Sequence, residues 1–355
     1  MSRVVMAVVT LVAAAAAMAW AGVRAGPLDR RLVPADVTWV FHIDLEAARG
    51  SRLGALVESE WQDAALSPEE LEQWRRVWPV LERVRSVTVY GKNDPDRAVA
   101  LLRTTGTPGE FFEALRFGDP RREVVEGTED AEGRALLTWV IEGGTVYGYA
   151  LEGESEGTAG MILLSNNAGD LVAAIETAKG GGPNLAEVGT ERVAGGGDRR
   201  LAEAAEARPG SVVLFAAGNL DMLPREARAS FLLENARALR VEVGEHEGQV
   251  YGTVRLTAES AERARQLADL GRGVVAMAQM MAGQEARFAG LRGALGTISI
   301  ETEGESATLS FTYDAATALE AVLEARRAGH EPREANEKEG RPAKDEKRKR
   351  GPEGR

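Results

Sequence analysis

Apolar positions recur along the chain either every second residue or every third to fourth, and the switches between these periods mark the elements. The segment "DVTWVFHIDL" (Asp36–Leu45), rich in β-branched and aromatic residues, reads as a buried strand. A helix is expected over Glu46–Glu58, weakened by Gly50 and Gly54. The next helix has a clear start, with Ser67 as N-cap, Pro68 at the first helical position and Glu70 completing a capping box. Its Leu71, Trp74, Trp78 and Leu81 share one face, and Pro79, which lacks an N–H, ends or kinks it.

Strands "VRSVTVYG" and "RAVALLRTT" follow around a turn at Lys92–Pro95, and Thr107-Pro108-Gly109-Glu110 opens a helix through "EFFEALR". "RALLTWVIEGGTVYGYALEG" reads as a hairpin turning at Gly143-Gly144. "GMILLSNN" adds a strand and "AGDLVAAIETAKGGG" a helix that stops at glycine. The stretch Gly180–Gly197 is glycine-rich, lacks periodicity and reads as a linker.

The order then recurs. "GSVVLFAAGNL" is a strand, "MLPREARASFLLENA" a helix and "RALRVEVGEHEGQVYGTVRLT" a hairpin. "AESAERARQLADLGRGVVAMAQMMA" is a long or broken helix, and "GTISIETEGESATLSFTYD" a further hairpin before a helix over Ala315–Arg327. The expected fold class is therefore α+β. Two similar domains, 34–179 and 198–327, are each expected to be a mainly antiparallel sheet with helices packed on one face, a tandem duplication joined by the linker 180–197. Residues 328–355 hold no large apolar side chain and read as a disordered charged tail.

The chain opens with an apolar run, Val4–Val23, behind Arg3. Its length suits a membrane span of roughly 20 residues. Its strongly apolar part is only Val4–Val12, the size of a signal-peptide core, and small residues at Ala19 and Ala21, or Val23 and Ala25, offer cleavage after Ala21 or Ala25. Residues 1–25 are thus read as a signal peptide, with a retained single-span anchor facing outward as the alternative. Arg24, Arg30 and Arg31 just beyond the run, against Arg3 alone before it, give little support to an orientation with the N-terminus inside. Both readings place the remaining chain in the periplasm or outside the cell, with membrane contact only through an uncleaved N-terminal segment.

Composition narrows the chemistry. The chain has 0 Cys in 355 residues, which excludes disulfides, thiolate metal sites and thiol nucleophiles. A net charge of -12 disfavours phosphate backbones, so no nucleic-acid partner is expected. The basic run Lys347-Arg348-Lys349-Arg350 is diluted by neighbouring acids and reads as part of the solvated tail.

The chemical motifs are weak. Gly153-Glu154-Ser155-Glu156-Gly157 matches a nucleophile elbow in letters, but a strand rather than a helix is expected after it. The runs Gly180–Gly182 and Gly195–Gly197 lack the lysine and hydroxyl of a phosphate loop. His42 and Asp44, two apart on a strand, share a face and form the one candidate pair for a metal or an activated water. The plainer reading has His42 hydrogen-bonded in the core and Asp44 capping the following helix. Trp61, Trp74 and Trp78 could stack on sugars, and Met277, Met280 and Met281 could offer an adaptable groove; core packing is the expected role of both sets. No catalytic residue, cofactor or metal is assigned.

The segment "LVPADVTWVFHIDLEAARGSRLGALV" (Leu32–Val57) resembles the start of exported proteins of planctomycete-like bacteria, in its Pro34, Asp36, His42, Asp44, Ser51, Leu53 and Gly54. That resemblance implies a bacterial envelope protein and carries no activity with it. The expected function is a non-catalytic binding or interaction module whose partner is an envelope protein or polymer. The alternative is a carboxylate-dependent envelope hydrolase, since acids are the one catalytic residue type in ample supply.

Overall fold

The computed structural model describes residues 27–52, 54, 83–94, 96–105, 111, 123–129, 135–141, 144–151, 160–189, 197–220, 233, 236–284 and 291–317. β1 (Trp39–Asp44) runs directly into a short helix, α1 (Leu45–Gly50). β2 (Val84–Gly91) and β3 (Ala98–Thr104) come next. β4 (Glu123–Glu129), β5 (Ala135–Ile141), β6 (Gly144–Leu151) and β7 (Gly160–Ser165) form a meander that leads into α2 (Ala168–Ala178). After α3 (Arg199–Ala204) come β8 (Ser211–Ala217), β9 (Ala236–His246) and β10 (Gln249–Ala258). The long helix α4 (Ala261–Gln284), the short α5 (Leu291–Gly296) and the hairpin of β11 (Ser299–Glu303) and β12 (Ser306–Asp314) complete the described fold.

The protein is α+β, built on one large antiparallel sheet. Among the described residues, 12 strands run in the order β11-β12-β10-β9-β8-β1-β2-β3-β7-β6-β5-β4. This corrects the expectation of a separate sheet in each half. β1 pairs with β2 on one side and with β8 on the other, from Trp39 opposite Ala217 to Ile43 opposite Val213. The two halves of the chain thereby share one ladder at the centre of the sheet.

The helices occupy both faces, which corrects the expectation of one covered face. Trp39 and Ile43 point to one side, where α1 adds Leu45 and Ala48. Val40 points to the other, into a cluster that holds Leu171 and Ile175 of α2 and Leu201 of α3. The physical reason is visible in β2 and β3, where almost every residue is buried. Strands apolar on both faces need cover on both.

The C-terminal half is covered differently. α4 packs Ala264, Leu267 and Ala268 onto Leu256, Ala258 and Ala307. Alternation turns the other set of β9–β12 side chains, Arg240, Glu242, Thr253, Arg255, Thr308 and Ser310, to the opposite side of the sheet. There α3 lies against β8 and β9, at the border of this polar surface.

Local chemistry fixes several element ends. Asn167 caps α2 by accepting from the Asp170 N–H, and α2 closes with the Gly180 and Gly181 amides donating to the Thr177 and Glu176 carbonyls. Gly180 has φ 78°, a conformation that glycine adopts without strain. The β9–β10 hairpin turns through Glu247 at φ 52° and Gly248 at φ 77°, the pair of positive values that a tight two-residue turn requires. The described part of the glycine-rich segment after α2 is packed rather than free-standing. Leu185 is fully buried, its N–H donates to the Val33 carbonyl, and Pro34 bridges to Asn184.

Candidate functional site

His42 and Asp44 lie on the same face of β1, as alternation requires, and each is 3% exposed. His42 sits between Thr88 of β2 and Leu214 of β8. Its Nδ1 is 2.9 Å from the Thr88 hydroxyl, and its Nε2 has no hydrogen-bond partner among the described residues. Burial pushes the imidazole pKa down to about 3, helped by the positive charge of Arg103, so the ring is neutral at physiological pH. Asp44 is the N-cap of α1: one carboxylate oxygen accepts from the Glu46 N–H at 3.1 Å and from the Ala47 N–H at 2.8 Å. Burial raises its pKa to about 6 and the adjacent Glu46 adds to the rise, against the two backbone hydrogen bonds and Arg103, which lower it. Both side chains are thus engaged in holding the centre of the sheet. Among the described residues no group of three His, Asp or Glu side chains is placed to hold a metal ion.

The other sequence candidates divide. Gly153–Gly157, the tryptophans Trp61, Trp74 and Trp78, the basic run at Lys347–Arg350 and the apolar run Val4–Val23 lie outside the described residues. Among the described residues, no helix is long and apolar enough to cross a membrane. His246 is at the β9–β10 tip, exposed, with Nε2 3.9 Å from a Glu247 carboxylate oxygen.

Met277, Met280 and Met281 are where the expectation of core packing fails. They are 52%, 59% and 46% exposed, and Val274 is 48% exposed. Apart from Leu267 and Val275, the inner stripe of α4 is made of small residues, Ala264, Ala268, Gly271, Ala278 and Ala282, which let the helix lie close on the sheet; a side chain at Gly271 would meet Ile300. With that stripe inward, Leu270, Val274, Met277 and Met281, spaced four, three and four apart, line up along the solvent-facing flank. The segment Gly273–Gln284 carries no charged residue. Soluble surfaces seldom leave so continuous an apolar strip uncovered unless something binds there.

A second polar feature escaped the sequence reading. Glu242 of β9 is fully buried, with Oε2 2.6 Å from Nη2 of Arg240 and 3.7 Å from Nε of Arg208. Its other oxygen accepts the Arg208 N–H at 2.8 Å. Tyr251 donates to the Pro209 carbonyl, and its phenol is pushed up to about 12, first by burial and then by the Glu242 charge. Beside this network, Arg255 of β10 stands directly opposite Arg240 in the ladder. The sequence held a signal for that pairing: a two-residue turn at Glu247-Gly248 fixes the register of the whole hairpin.

No family model matches this chain, and no curated protein matches it. Among solved structures it is similar to TP0453. Crystal form III of that protein aligns at 9% identity and TM-score 0.44, covering 84% of this chain and 99% of the other. Crystal form I aligns at 9% identity and TM-score 0.42, over 85% and 98%. The chemistry of the site rests on this chain's own residues.

Proposed function

We propose that this chain is a non-catalytic interaction module of the bacterial cell envelope, which docks a partner protein through the outer flank of α4. The observation that carries the reading is the uncharged stretch of that helix, with Val274, Met277, Met280 and Met281 each about half exposed. Methionine is unbranched and polarizable, so a methionine-lined strip adapts to an apolar partner surface. Export rests on the leader Val4–Val23, read as a signal peptide at 1–25 or as an outward-facing anchor. We also read the halves 34–179 and 198–327 as one repeated unit. The matching neighbour orders β1-β2-β3-β7 and β8-β9-β10-β12 support this, since in each half a later strand returns to lie beside the third.

The alternative, a carboxylate-dependent hydrolase, has one observation in its favour: Asp44 and Glu46, two residues apart, are both buried, and the Asp44 pKa is raised to about 6. The cap hydrogen bonds hold Asp44 in a structural role, and the binding reading is preferred for that reason.

The test is a photo-crosslinking residue placed at Met277 in cells, with the exposed Glu176 of α2 as a control position. The reading expects one adduct of defined mass from Met277, lost when Val274 is changed to Glu. Absence of any adduct, or an equal yield from Glu176, contradicts it. A reporter fused after Ala25 tests export separately.

A further inference from the structure

The polar surface on the other side of the sheet from α4 holds a cleft of about 470 Å³. It runs between α3 and the β11–β12 turn, over β9 and β10. We infer that this cleft is a binding site for an anionic saccharide, with Arg200 and Arg255 holding the acidic group.

The first argument is charge. Among the described residues four arginines line the cleft, and two are already matched: Arg199 pairs with Glu203 at 2.9 Å and Arg240 with Glu242 at 2.6 Å. Arg200 and Arg255 are exposed and have no ion pair among the described residues. Arg255 also lies directly opposite Arg240, where cross-strand Cβ atoms are about 5 Å apart and like charges are destabilising. On the same face the neighbouring positions of β10 are Thr253 and Thr257, residues that suit a strand without charge conflict. Glu242 balances Arg240, so Arg255 is the cation of the pair left without a partner among the described residues, and a bound anion would match it.

The second argument is what surrounds the two arginines. Thr257 and Ser306, whose hydroxyls lie 3.3 Å apart, line the cleft together with the exposed Glu303 and Glu305 of the turn. Those carboxylates repel a bare anion but accept hydrogen bonds from hydroxyl groups. The fitting ligand therefore combines one acidic group with several hydroxyls, which is the chemistry of a uronic acid or a sugar phosphate. The volume falls in the range of small-molecule sites, about 300–1,000 Å³. Among the described residues no aromatic side chain lines the cleft, and the groups that do line it recognise a ligand by hydrogen bonds and charge. The site is independent of the α4 flank, and either can fail without the other.

The test is calorimetric titration of the full chain with digalacturonic acid, glucose 6-phosphate, maltose and triglutamate, repeated with the R200A/R255T double variant. The expectation is binding of one or both acidic sugars, weakened at least tenfold by added salt and by the double variant, with maltose silent and triglutamate weaker. Arg255 is exposed and its replacement removes a like-charge pair, so the variant should melt no lower than the wild type; circular dichroism confirms that it is folded. A lack of binding by both acidic sugars, binding unchanged in the folded variant, or triglutamate binding as tightly as the sugars would overturn the inference.

Discussion

His42 and Thr88 face each other across β1 and β2, with the imidazole Nδ1 2.9 Å from the threonine hydroxyl and both side chains buried. A polar pair in this place ties together two strands at the centre of the sheet, and burial leaves the imidazole neutral.

That neutrality gives a pH signature. The His42 pKa is lowered from 6.5 to about 3, so its contribution to stability is present above about pH 6.5 and is lost as pH falls towards 3. Asp44 acts oppositely: with its pKa raised from 3.8 to about 6, its contribution is present below 3.8 and is lost as pH rises through 6. Between pH 6 and 4 the two offset each other. Asp44→Asn keeps a good cap but removes the offsetting titration, so its melting temperature should fall more steeply than that of the wild type as pH drops from 6.5 to 4. Parallel curves for the two proteins would rule out a raised Asp44 pKa.

Glu242 is buried between Arg240 and Arg208. Glu242→Ala leaves the Arg240 guanidinium, 12% exposed, without its carboxylate. Loss of one partner from such a pair costs about 3–5 kcal/mol. Urea denaturation should report that loss with an unchanged slope.

Leu185 is fully buried within the segment that follows α2. Leu185→Ala should cost about 2–5 kcal/mol, as large-to-small changes in a core do. A loss below about 0.5 kcal/mol, the usual scale of a surface change, would mean that this segment is only a tether.

Gly252 of β10 faces Phe311 of β12, and a Cβ there would overlap the phenylalanine ring. Gly252→Val should destabilise by about 1–3 kcal/mol through overpacking, despite the higher strand propensity of valine. The double variant with Phe311→Ala should recover part of that loss in thermal melts.

Much of the secondary structure was legible because its signals are local. The β9–β10 and β5–β6 hairpins follow from alternation around Glu247-Gly248 and Gly143-Gly144, and α2 from an Asn cap and a glycine stop. The single sheet was not legible. It depends on Trp39–Ile43 pairing with Val213–Ala217, strands far apart in the chain, and no local pattern encodes that choice. Helices on both faces could have been inferred from the unbroken apolar character of β2 and β3. For α4, the methionine spacing was visible but not which stripe faced inward. The alanines and Gly271 decide that, because small residues allow the closer approach to the sheet. The Arg240–Arg255 opposition needed the hairpin register, which composition alone conceals among so many scattered arginines.

Substitutions on the outer flank of α4 separate binding from folding. Met277→Glu and Val274→Glu replace half-exposed side chains, so each should change stability by no more than about 0.5 kcal/mol. Val274→Glu should nevertheless abolish crosslinking from a probe at Met277, and Met277→Glu should abolish it from a probe at Met281. A large drop in melting temperature would instead assign the flank to the protein's own packing.

The most direct measurement is oxidative footprinting of Met277, Met280 and Met281, comparing the isolated protein with intact cells. In isolation, at 52%, 59% and 46% exposure, all three should oxidise readily. In cells a docked partner should shield them, and Val274→Glu should restore their reactivity. Equal oxidation in both settings would contradict a partner-covered α4.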